Sequence, residues 1–213
     1  MTNSYINVLV HYLTDNESEY VYTVKSTKRR NSYIFGRYSM KVACSLFCNE
    51  KLLTNIEISN GVFGYPIINV NGQSNISGSI SHCDTYAAAL VYPENIIMGI
   101  DIENINRVIK NTVIRSSNKH ELSAIYELEC VDEVKYHIIW TARESLSKCL
   151  RTGFTIAPEV LEIESIVLKS GYFEVAYKNF PHFKANSYLI NDTVCTITYP
   201  KKLDISLNLE SHR

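Results

Sequence analysis

Residues 98–105 read MGIDIENI, an apolar run of β type that carries two carboxylates, Asp101 and Glu103, one residue apart. A strand repeats every two residues, so both acids project to one face while Ile100 and Ile102 point to the other. Two like charges this close repel, and the pKa of one is raised. A fold that buries this strand therefore has to bring something positive to the acidic face.

The chain around this strand is long enough, at 213 residues, to bury a real core as one large domain or two small ones. A net charge of −1 gives no sign of a general nucleic-acid binder or a polybasic membrane anchor. No apolar run approaches the roughly 20 residues of a membrane span. The opening MTNSYINVLVHYL lacks the basic start of a signal peptide and reads as a first strand, so a cytoplasmic protein is expected. Six cysteines, without a C-x-x-C pair, read as reduced thiols filling core positions; Cys44 and Cys48, four apart on a helix, are also spaced to hold a metal.

Along the chain, Ser26 to Cys48 has helical periodicity, with Ile34, Tyr38, Val42 and Leu46 four apart. IEISNGVF and YPIINVNG are short β runs marked by Asn60-Gly61 and Asn71-Gly72. TYAAALVY (85–92) and IIMGIDIE (96–103) follow, and the short link Pro93-Glu94-Asn95 predicts that they form an antiparallel hairpin. SSNKHELSAIYEL (116–128) opens with capping residues, and 132–150 is a longer helix that Asp132 is placed to cap, with Gly153 past its end. Four more strands follow, VLEIESIVLK, YFEVAYK, FKANSYLI and TVCTITY, and the tail beyond Pro200 reads as polar and loose. The class is α+β. The element order suggests two similar halves, 1–104 and 105–213, each a long helix packed on a small antiparallel sheet.

The helix 132–150 contains WTARESLSK, which sets Trp140, Glu144 and Lys148 four apart along one stripe beside Ile138, Ala142, Leu146 and Cys149. On its own this reads as an exposed Glu–Lys pair above a core tryptophan. SISHCD (79–84) places Ser81 and His82 at the end of a strand, where a histidine commonly serves a structural hydrogen bond. KRRNSYIFGRYSMK (28–41) gathers Arg29, Arg30 and Arg37, either as a solvated face or as a phosphate grip.

Taken together, SISH (79–82), GIDIE (99–103) and WTARESLSK (140–148), with YIFGR (33–37) and FGYP (63–66) in order, resemble the 4′-phosphopantetheinyl transferases of the large, pseudo-dimeric type that activates siderophore, surfactin and polyketide synthases. The resemblance implies two α+β halves with the active site in the cleft between them. It implies transfer of the phosphopantetheine arm of coenzyme A to a serine of an apo acyl or peptidyl carrier protein, releasing adenosine 3′,5′-bisphosphate. It implies that Asp101, Glu103 and Glu144 gather around Mg²⁺, with Mn²⁺ as an alternative; the metal would then be the missing positive charge. By the same resemblance Glu144 is the base for the incoming serine, directly or through water, and Lys148 attends the leaving bisphosphate. Ser81 and His82 match the phosphate-contacting pair, and Arg30 and Arg37 are placed at the 3′-phosphate. A monomer without nucleic-acid or membrane partners is expected.

Two positions depart from the pattern. Arg143 stands where the family commonly has lysine, and Gly64-Tyr65-Pro66 where relatives often have Gly-Lys-Pro, which removes one phosphate contact. Two other readings share the same residues: a Mg²⁺-dependent phosphohydrolase of coenzyme A, and a carrier-binding module of the same fold without catalysis. The first would yield free phosphopantetheine; the second would need a broken acid set.

Overall fold

The computed structural model describes residues 3–72, 75–84 and 86–205. The chain begins with α1 (Asn3–Leu9), a 3-10 turn, α2 (Asp15–Thr23) and the long α3 (Thr27–Cys48). Strands β1 (Ile56–Asn60), β2 (Pro66–Val70), β3 (Ile76–His82) and β4 (Ala87–Pro93) form an antiparallel sheet in that order. Strand β5 (Gly99–Asn104) leads to α4 (Lys110–Ser116), α5 (Lys119–Tyr126) and α6 (Asp132–Cys149). Strands β6 (Ile163–Leu168), β7 (Phe173–Tyr177), β8 (Phe183–Ile190) and β9 (Thr193–Pro200) complete a second antiparallel sheet ordered β5-β9-β8-β7-β6. Each sheet packs on one long helix, so the α+β class holds. Among the described residues no helix is long and apolar enough to cross a membrane.

The strand predicted at residues 5–13 is helical instead. Ile6, Leu9, Val10 and Leu13 share one apolar cluster with Val21 and Ile34, and that i, i+3, i+4, i+7 spacing is the helical one. In α3 the run spaced by four drifts off the buried face: Ile34 is buried but Leu46 is 81% exposed, and the packed stripe is Ile34, Arg37, Met40, Lys41 and Cys44. A helix turns once every 3.6 residues, so a stripe of exact fours rotates away from its core. Asp132 begins α6, whose N-cap is Val131 without a side-chain cap. Of the tail, residues 206–213 lie outside the described residues, as does Thr85.

The predicted hairpin of 85–103 does not form. Strand β4 pairs with β3, whereas β5 crosses to the second sheet and pairs with β9, Asp101 opposite Thr196. The boundary expected at residue 104 would leave β5 covalently with the first half but hydrogen-bonded into the sheet of the second.

The halves share a joint that the sequence reading missed. Glu17 closes a capping box with Thr14 at the start of α2, pairs with the buried Lys41 of α3 at 2.9 Å, and accepts the N–H of Ile58 in β1 at 3.1 Å. Glu121 does the same with Asn118 at the start of α5, with the buried Arg143 of α6 at 2.7 Å, and with the N–H of Ile163 in β6 at 2.9 Å. Helix start and strand lie 41 residues apart in one half and 42 in the other, so the repeat is one of residue roles as well as element order. A buried carboxylate survives here because every oxygen is occupied by N–H donors or a cation.

Candidate active site

Gly99 explains how the acidic strand approaches α6. A Cβ at this position would overlap the carbonyl oxygen of Ser145 and stand 2.7 Å from the N of Cys149. With no side chain there, β5 lies directly on the helix backbone. Gly99, Asp101 and Glu103 alternate along the same face, so this close approach carries both acids to α6. Thr196, opposite Asp101, bonds Thr141 of α6 at 2.6 Å, which fixes that face of the sheet. Ile100 and Ile102 pack on the other face with Cys195, Ile197 and Tyr199. The alternation read from GIDIE is realised.

The first sheet meets β5 through a row of hydroxyls. Ser79 accepts the N–H of Ile100 at 3.1 Å, and Ser81 accepts that of Ile102 at 3.2 Å. Ser81 also donates to Oδ1 of Asp101 at 2.8 Å. The serines replace the carbonyls of a neighbouring strand, so β3 and β5 meet without a backbone ladder. Ser81 is 5% exposed and committed to this seam.

Lys148, near the end of α6, reaches the same carboxylate. Its Nζ lies 2.8 Å from Oδ1 of Asp101 and 3.1 Å from the carbonyl of Ile100. Glu103 is paired by Arg107, whose guanidinium also sits 5.5 Å over the ring of Trp140. The exposed Glu144–Lys148 pair suggested by spacing is replaced by these contacts. Glu144 is pushed up to about 7, first by burial and then by the charge of Asp101, with Lys148 and Arg107 opposing. His82, at the end of β3, is held below its ordinary value by burial and by the nearby Lys148 charge, so it stays neutral at pH 7.

Two cavities flank this cluster. One of about 180 Å³ is lined by Phe63, Tyr65, Ser79, Glu144, Lys148 and Arg151. The other, about 330 Å³, is lined by Lys28, Asn31, Ser32, Phe35, His82 and Tyr86. A larger open groove of about 550 Å³ between α5 and β6 contains none of the predicted site residues.

The basic residues of α3 divide differently from the expectation. Arg37 is buried, donates to Oδ1 of Asn60 at 2.6 Å and lies 4.7 Å over Tyr33, which makes it a brace between α3 and β1. Arg30 is half-buried and lines neither cavity. Lys28, which the sequence reading passed over, lines the His82 cavity and pairs with Asp84 at 2.8 Å. Arg143 belongs to the buried joint with Glu121 and also donates to Ser116. Its charge holds α6 to α5.

Residues 97–198, which hold the acidic strand, α6 and the second sheet, match the 4′-phosphopantetheinyl transferase superfamily. A holo-[acyl-carrier-protein] synthase of Halalkalibacterium halodurans is 34% identical over 89 residues, covering 39% of this chain and 74% of that protein. The chain belongs to the 4′-phosphopantetheinyl transferase superfamily. It is an enzyme of that superfamily, and the matched segment carries Asp101, Glu103, Glu144 and Lys148.

As arranged, Lys148 and Arg107 are the positive groups facing the acids of β5, and among the described residues no three Asp, Glu, His or Cys side chains share one point as metal donors. The chemistry of the donor set nonetheless fits the hard divalent cation typical of the superfamily. Asp101, Glu103 and Glu144 all offer carboxylate oxygens, the hard donors such a cation takes.

Proposed function

We propose that this transferase moves the 4′-phosphopantetheine arm of coenzyme A to a serine of an apo acyl or peptidyl carrier protein, and that it is of the large, pseudo-dimeric type. The observation that carries the reading is the convergence of Asp101, Lys148 and Ser81 at the seam of two α+β halves, with a cavity on either side. The repeated Glu17 and Glu121 joints support two covalent halves, 1–104 and 105–213, with β5 of the first joined to the sheet of the second. One chain thereby supplies both walls of the cleft, which favours a monomer.

Asp101, Glu103 and Glu144 would hold Mg²⁺, which supplies charge neutralisation at the diphosphate of coenzyme A when bound. His82, beside Lys28, attends the nucleotide end of coenzyme A, while Ser81, buried and bonded to Asp101 and the N–H of Ile102, positions the acidic strand. In the transfer the carrier serine oxygen forms a bond to the β-phosphorus, and the bond from that phosphorus to the bridging oxygen breaks. Glu144 takes the serine proton, directly or through water. Lys148 meets the negative charge that collects on the departing adenosine 3′,5′-bisphosphate. Arg37 is excluded from coenzyme A contact in this reading, because its burial and its bonds to Asn60 and Tyr33 give it structural work.

Intact-protein mass spectrometry of an apo carrier protein incubated with this protein, coenzyme A and Mg²⁺ tests the reading. A gain of one phosphopantetheine that EDTA abolishes supports it. Free phosphopantetheine without carrier modification would establish the hydrolase instead. Neither product across acyl and peptidyl carriers would overturn the catalytic reading.

A further inference from the structure

Arg151 follows the last turn of α6 with φ of 56°, in the left-handed region that favours glycine. The conformation closes the helix: the N–H of Arg151 reaches the carbonyl of Lys148 at 3.1 Å, and that of Thr152 the carbonyl of Ser147 at 3.1 Å. Helix closure alone is served better by glycine. What arginine adds is a guanidinium that crosses to the first half. It donates to Oγ of Ser77 in β3 at 2.8 Å and lies 4.8 Å over the ring of Tyr65.

Among the described residues no carboxylate forms an ion pair with Arg151. The other two cations of the seam, Lys148 and Arg107, are each paired with an acid of β5. Arg151 is therefore a positive charge fixed by a hydroxyl and a ring, with its remaining N–H donors uncommitted to any acid, and it lines the 180 Å³ cavity beside Lys148. A guanidinium held this way presents its planar fork to a phosphate at little entropic cost. Its platform, Tyr65, lines the same cavity.

We infer that Arg151 is a phosphate-binding residue for coenzyme A, presented from the end of α6 into the cavity it lines beside Lys148. The inference rests on the transferase reading above. The decisive variant is Arg151→Gly, because glycine suits the backbone at φ 56° and keeps the helix end while removing the cation. Binding of adenosine 3′,5′-bisphosphate by isothermal titration calorimetry requires no turnover. Arg151→Gly is expected to raise its Kd at least tenfold without lowering Tm, and Arg151→Lys to recover part of the loss. In transfer assays KM for coenzyme A rises more than kcat falls. A Kd within twofold of the unaltered protein would make Arg151 a strut between the halves and overturn the inference, while transfer by the unaltered protein would leave the enzyme reading intact. If the unaltered protein neither binds the bisphosphate nor modifies any carrier, the transferase reading fails and takes this inference with it.

Discussion

The Nζ of Lys148 lies 2.8 Å from Oδ1 of Asp101, tying the end of α6 to the strand that links the two sheets. Both groups are largely removed from water, with side-chain exposures of 29% and 8%. The pair balances the acidic face of β5, and it places the two residues where a bound polyanion and its counter-cation would compete for them.

Asp101→Asn keeps shape and the Ser81 contact but removes the charge. Transfer is expected to fall by roughly 10²-fold or more, the scale of losing a preorganised electrostatic group. The far-ultraviolet circular dichroism should be unchanged. Near-normal carrier modification would remove Asp101 from the reaction.

Lys148→Ala is expected to lower kcat by about 10²-fold with a smaller change in the affinity for coenzyme A, because in the proposed transfer the charge it would meet develops as the bond breaks. Steady-state kinetics on a fixed carrier separates the two. A change confined to KM would assign Lys148 to ground-state binding.

Glu144 supplies a pH signature in the metal-free protein. Its folded pKa of about 7 lies above the ordinary 4.5, so the folded state retains a proton that the unfolded chain gives up between those values. Stability is therefore lost as pH rises through that window, on the order of 2 kcal/mol. Glu144→Gln should raise Tm at pH 8 and leave it unchanged near pH 4.5, measured by thermal melts in EDTA. An equal shift at both pH values would show that charge burial is not the cause.

Arg143→Ala leaves Glu121 buried without its cation and is expected to destabilise the protein by about 3–5 kcal/mol. The equivalent Lys41→Ala in the first half should cost a similar amount. Urea melts measure both. A loss of activity in Arg143→Ala without loss of stability would place Arg143 at the substrate instead of in the joint.

Gly99→Ala sets a Cβ against the backbone of Ser145 and Cys149. Backbone yields less than side chains, so a cost of about 2–4 kcal/mol is expected. Transfer should fall as well, since moving β5 off α6 separates Asp101 from Lys148. Stability and activity both near normal would show that β5 tolerates displacement.

Much of this was legible in local pattern. The period of two in GIDIE placed both acids on one face, and the strands after residue 160 were marked by their alternation and turn residues. The long helices showed through their periodicity, and the motif order pointed to the superfamily that residues 97–198 match. These features depend on neighbours along the chain, which is why one sequence contains them. The N-terminal helix is ambiguous in sequence because its short apolar run fits more than one period when taken without its packing partner.

What only the tertiary structure decided depends on residues distant in sequence. A link of a few residues between β4 and β5 suits a hairpin, but β5 gains more by bonding β9 and lying against α6, where Gly99 permits contact. Arg143 and Arg151 are eight positions apart on one helix and its end, yet one neutralises a buried glutamate and the other stacks on Tyr65 across the seam. Sequence spacing assigns an arginine its charge. Which carboxylate, ring or hydroxyl meets that charge is set by long-range packing, because the energy of a charge depends on its distance from partners and from water.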